Sequence, residues 1–91
     1  MPAIVIPAAL RRHMQHPLSE VEVEAATVGE AIEALVEAHP ELSGSLYAEG
    51  GGLSPVLRVF ARGESIDQLE GLATPVGPRE EILLLPPIAG G

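Results

Sequence analysis

Residues 20–40 read EVEVEAATVGEAIEALVEAHP, and the hydrophobic period changes once within them. Over residues 20–25 apolar and acidic residues alternate, so Val21 and Val23 share one side of an extended chain while Glu20, Glu22 and Glu24 share the other. That pattern is a half-buried strand. Thr27 then precedes Glu30 by three positions, the spacing at which a Thr hydroxyl accepts an orphan helical N–H and the Glu carboxylate reaches back. A helix is expected to start there. Val28, Ile32, Leu35, Val36 and His39 recur at helical spacing, and Glu30, Glu33 and Glu37 fall on the opposite face. Pro40 ends the run, leaving His39 as a C-terminal residue favoured by the helix dipole.

Strand signals lie on either side of this unit. Residues 3–6 are largely β-branched and bounded by Pro2 and Pro7, which predicts a first strand buried on both faces. A polar connection follows through Arg11, Arg12 and His13. After the helix, residues 42–47 are expected to form one short turn, and Glu49-Gly50-Gly51-Gly52 a surface loop. Residues 56–61 form the next predicted strand, with a tight turn at Arg62-Gly63 leading to a short extended piece at Ile66. Residues 71–77 read as a loop, with Leu72 and Val76 placed to plug the core, and residues 81–85 as the last strand. A parallel neighbour needs a crossover, and one helix cannot support a doubly wound sheet. The expected fold is therefore α+β of the β-grasp kind. Its mixed sheet has four to five strands, with one main helix on one face, and a tail at residues 87–91 extends from a domain at residues 1–86.

The chain has 91 residues, and 13 acidic against 5 basic residues give a net charge of −8. Nucleic-acid affinity comes largely from Lys and Arg displacing counterions, and base stacking needs aromatic rings, of which this chain has only Tyr47 and Phe60. A nucleic-acid ligand is excluded on both counts, whereas a basic protein partner would be steered electrostatically. The absence of cysteine leaves no disulfide framework, thiolate nucleophile or zinc-thiolate site and fits the cytoplasm. No leader or membrane span is recognisable, so no membrane association is expected, and the free protein is expected to be a monomer.

No catalytic constellation stands out. The serines have no GxSxG context, and His13 and His16 are two ligands followed by Pro17, which read as a polar connection rather than a metal clip. Gly50-Gly51-Gly52 lacks the GK[ST] ending of a phosphate cradle. The ridge of Glu30, Glu33, Glu37 and Glu41 reads as a solvated face. Neither a metal site nor a bound cofactor is expected.

Two features carry more. In the last strand Ile82, Leu83, Leu84 and Leu85 are all apolar, although only alternate members can face the helix. With Ile82 and Leu84 inward, Leu83 and Leu85 lie on the open face; with Leu57, Val59 and Ala61 inward, Arg58 and Phe60 join them. Such a patch suits docking to a partner. The second feature is the ending Pro86-Pro87-Ile88-Ala89-Gly90-Gly91, in which the prolines favour an extended path and the glycines pass where a side chain would not. At ~3.3 Å per residue, residues 88–91 reach roughly 13 Å into a partner's cleft.

The segments 21–25 and 27–31, His39-Pro40, Gly63-Glu64-Ser65-Ile66, Gly71-Leu72-Ala73-Thr74-Pro75 and Leu85-Pro86-Pro87-Ile88-Ala89-Gly90-Gly91 together resemble the ubiquitin-like sulfur-carrier proteins. These include the small subunit of molybdopterin synthase and the carriers for thiamine and cysteine synthesis. The opening Ile6-Pro7-Ala8-Ala9-Leu10-Arg11 is more similar to the cysteine-synthesis carriers, whereas Arg62 stands where the family commonly has Asn and Gly77-Pro78-Arg79-Glu80-Glu81 where it often has an acidic Gly-Asp-Glu type turn, two positions that border the docking face. The resemblance implies that an ATP-dependent activating enzyme adenylates Gly91. A sulfurtransferase or cysteine desulfurase then supplies sulfur, and the resulting thiocarboxylate serves a sulfur-accepting biosynthetic enzyme. Pro87, Ile88, Ala89 and Gly90 would thread the partner's active site, and Arg58, Phe60, Leu83 and Leu85 would dock. The chain itself would be no enzyme. The alternative is a protein modifier joined through Gly91 to target lysines.

Overall fold

The computed structural model describes residues 1–86; residues 87–91, expected from the sequence to form a tail, lie outside them. Strands β1 (Ala3–Val5), β2 (Glu20–Glu22), β3 (Arg58–Ala61), β4 (Glu64–Ser65) and β5 (Glu81–Leu85) form one sheet in the order β2-β1-β5-β3-β4. β1 and β5 run parallel, and every other pairing is antiparallel. This is the mixed five-stranded sheet of a β-grasp fold. The dominant helix is α2 (Val28–Ala38), accompanied by the short helices α1 (Ala8–Arg11) and α3 (Ser43–Leu46).

The alternation read in the sequence sets the two faces. The row Val21, Ile4, Ile82 and Ala61 runs across β2, β1, β5 and β3, and every member is buried. Val59 and Leu84 pair in the next row and are equally buried. Against this face α2 presses Val28, Ala31, Ile32 and Leu35, while Glu30, Glu33 and Glu37 are exposed. The Thr27 hydroxyl accepts from the Glu30 N–H at 3.2 Å, as the spacing predicted. The Glu30 carboxylate receives the N–H of Ala26, one residue before the cap, at 2.9 Å. His39 caps the C-terminus, its N–H donating to the Leu35 carbonyl, and Pro40 opens a 3-10 turn that passes into α3.

Several local expectations differ from what is observed. β2 ends at Glu22, although Val23 stays buried and its N–H donates to the Pro2 carbonyl. Val5 is only half-buried, so β1 is not enclosed on both faces. The connection after β1 is partly helical, and it returns Leu10 and Met14 to the core. Ile66 opens a 3-10 turn instead of extending β4. Val76 plugs the core as expected, but Leu72 is 42% exposed. It belongs to a 3-10 turn at Gly71–Ala73, and the residue delivered to the interior from this loop is Thr74.

Candidate functional site

On the face away from α2, the row Glu20, Val5, Leu83, Phe60 and Ser65 crosses the sheet. Leu85 pairs with Arg58 in the neighbouring row. Leu83 is 37% and Leu85 46% exposed, whereas Leu84 between them is 1% exposed, so alternate residues of one apolar strand have opposite environments. The structure thus brings together Arg58, Phe60, Leu83 and Leu85, all four residues that the sequence assigned to a docking patch. It adds Val5, which the parallel register sets beside Leu83. A long-range pairing decides that position, and no local signal marks it.

The rim of the patch carries charges of both signs. Glu20 and Glu22 stand on the β2 side and Glu81 at the start of β5, whereas Arg58 stands on β3, 3.8 Å from the Asp67 carboxylate. That pair is solvent-exposed on both sides and adds little to stability. Beside Phe60 and Leu83, Arg62 and Arg79 line a shallow groove together with Glu80 and Glu81. Both arginines border the patch, as the positions of their turns in the sequence implied. Arg62 sits in the hairpin turn with φ 55° and donates to the Pro75 carbonyl at 3.0 Å and to the Glu80 carboxylate at 3.4 Å.

β5 runs in the middle of the sheet and ends at Leu85, on the edge of this patch and paired with Arg58. Pro86 is the last described residue; Pro87, Ile88, Ala89, Gly90 and Gly91 lie outside the description.

A model of the ThiS family matches residues 4–91. The chain belongs to that family. Small archaeal modifier protein 1 of Haloferax volcanii is 41% identical over 66 residues, 72% of this chain and 71% of that protein. A putative sulfur carrier protein of Archaeoglobus fulgidus is 31% identical over 72 residues, 79% of this chain and 82% of its own. Among solved structures, a chain of the Amycolatopsis orientalis BexX/CysO complex superposes with a TM-score of 0.86 at 28% identity and full coverage of both chains. Proteins of the ThiS family act as carriers and modifiers and not as catalysts.

Away from the patch, this ThiS-family chain has a second groove on the helix side, between Glu30 and Glu33 of α2 and the loop joined by the Tyr47 to Leu53 bridge. Burial, and secondarily the charge of Glu33, raises the Tyr47 hydroxyl above its ordinary pKa. His13 and His16 are exposed, and no group of three or more His, Asp or Glu able to hold a metal occurs among the described residues. No helix among them is long and apolar enough to cross a membrane.

Proposed function

We propose that this chain is a ubiquitin-like protein modifier, attached through Gly91 to lysine side chains of other proteins. The carrying observation is the 41% identity to a small archaeal modifier protein, higher than the 31% to a putative sulfur carrier. A carboxylate is a poor acyl electrophile. In the reaction the Gly91 carboxylate oxygen attacks the α-phosphorus of ATP on an activating enzyme and pyrophosphate leaves. A lysine amine then attacks the acyl carbon, AMP leaves, the amine gives up a proton and an isopeptide bond results. The domain at residues 1–86 is the handle. Arg58, Phe60, Leu83 and Leu85 dock it on the activating enzyme, and Pro87, Ile88, Ala89 and Gly90 thread the enzyme's cleft.

A second reading shares the first step. The persulfide of a sulfurtransferase or cysteine desulfurase displaces AMP to give an acyl disulfide, and a second thiol cleaves its S–S bond, becoming a disulfide with the donor's sulfur and leaving a thiocarboxylate that donates sulfur in the biosynthesis of cysteine, molybdopterin, thiamine or a related compound. The putative sulfur carrier and the BexX/CysO chain support this reading. Incubating the protein with ATP in a lysate of the organism that encodes it separates the two. The modifier reading predicts higher-mass conjugates that disappear when Gly90 and Gly91 are deleted. Exchange of one oxygen for sulfur in the intact mass, with no conjugates, would favour the carrier reading instead.

A further inference from the structure

All five basic residues are arginines, and none of the 91 residues is a lysine. Arg12, Arg58, Arg62 and Arg79 are exposed, and Arg11 is half-buried with its guanidinium donating to the Ile6 carbonyl at 2.9 Å. An activated carboxyl terminus needs a nucleophile with a free electron pair. A guanidinium stays protonated at any physiological pH, so arginine does not serve. The chain has no cysteine, and its hydroxyls are weak nucleophiles without an adjacent base. Acyl transfer to the exposed His13 or His16 would yield an acyl-imidazole, which water hydrolyses. At every exposed position where a cation solubilises this surface, the residue present cannot act as an acceptor.

Resting on the modifier reading above, we infer that no side chain of this protein accepts a second copy of itself, so no branched chain of copies grows on an acceptor lysine of a target. The net charge of −8 works in the same direction by opposing the approach of one copy to another. The only amine left is the α-amine at the start of the chain, and Met1 is 58% exposed. β1 and β5 are parallel, so Met1 lies at the end of the sheet opposite to where β5 leaves. Any extension is thereby limited to head-to-tail joining through that one group.

Because there is no lysine, acetylating the purified protein blocks the α-amine alone. The test adds this acetylated protein and ATP to a lysate of the organism that encodes it, followed by recovery of conjugates and digestion with trypsin. Cleavage after Arg79 leaves residues 80–91 as a remnant on each acceptor. The expected result is remnants on lysines of other proteins and none on any peptide of this chain. An Arg12→Lys protein, altered at an exposed site away from the docking patch, is acetylated only at its α-amine by a selective reagent. It should acquire a remnant at residue 12 and a ladder of higher-mass species. A remnant on a side chain of the acetylated parent, or identical patterns for parent and Arg12→Lys, would overturn the inference. If the unacetylated parent leaves no remnant on any protein, the modifier reading itself fails, and the inference with it.

Discussion

Thr74 is the one fully buried polar side chain among the described residues, and its hydroxyl is used in both directions. It donates to the Gly71 carbonyl at 2.6 Å and accepts from the Glu70 N–H at 3.0 Å, closing the 3-10 turn on itself. The Thr74 carbonyl then accepts from the Val28 N–H at the first turn of α2. Thr74→Val keeps the shape but strands the Glu70 donor, at a cost of about 1–3 kcal/mol. For a domain of this size that lowers the thermal midpoint by at least ~4 °C, and thermal unfolding followed by circular dichroism measures it. Glu41 offers a pH-dependent counterpart. Its own backbone N–H, then that of Gln15 at 3.1 Å, hold its carboxyl below the ordinary value of 4.5. A lowered folded-state pKa means the unfolded chain binds the proton more tightly. The contribution is therefore complete above the ordinary carboxylate range and fades as pH falls through the lowered value. In Glu41→Gln the midpoint deficit relative to the parent should be present at pH 7 and shrink below pH 4.5; a deficit independent of pH would contradict this account. The sequence signalled neither role, since a Thr in a loop and a Glu on a ridge look alike whether or not the fold brings them a partner.

At the scale of elements, the devices that were legible in the sequence are those built from neighbours. The alternation of residues 20–25 and the Thr27 and Glu30 spacing are local, and β2, as far as Glu22, and the start of α2 follow them. Thr27→Ala removes the hydroxyl that satisfies the Glu30 N–H and should destabilise by about 1 kcal/mol, with Thr27→Ser retaining most of the stability. The Arg62-Gly63 turn was legible as a tight hairpin but not in its energetics. Both residues have positive φ, 55° and 79°, the conformation of a type I′ turn, which suits Asn better than Arg. An Asn at position 62 would relax the backbone by roughly 1 kcal/mol, while losing the Arg62 bond to Pro75, of about the same worth. Arg62→Asn should therefore leave the denaturant midpoint nearly unchanged, and a large loss would show that Arg62 is the tie holding the 75–80 loop to the hairpin. The elements that escaped the sequence reading, α1 and the 3-10 turns at residues 66–68 and 71–73, are too short to display a period. They form because the strands around them fix their ends.

At the scale of the whole molecule, the outward members of β3 and β5 were legible because a pleat leaves no choice once Val59 and Leu84 are assigned to the core. Val5 was not, since only the order β2-β1-β5-β3-β4 brings it to the same patch. Leu83 lies in the middle, with Val5 on one side and Phe60 on the other. Its 37% exposure means the isolated domain does not depend on it, and exchange for Glu removes mainly a cross-strand contact worth about 1 kcal/mol or less. A partner that buries Leu83 would instead have to desolvate a carboxylate in an apolar contact, a loss typical of interface hot spots at roughly 2 kcal/mol or more, about thirtyfold in affinity. Leu72→Glu is the matched control, because Leu72 is 42% exposed yet belongs to the 3-10 turn that packs beside Gly29 at the start of α2. In the lysate assay Leu83→Glu should depress conjugate formation by that factor with a nearly unchanged unfolding midpoint, and Leu72→Glu should not. Equal activity of the two variants would mean that the enzyme recognises some other surface and that the apolar patch has no part in presenting Gly91.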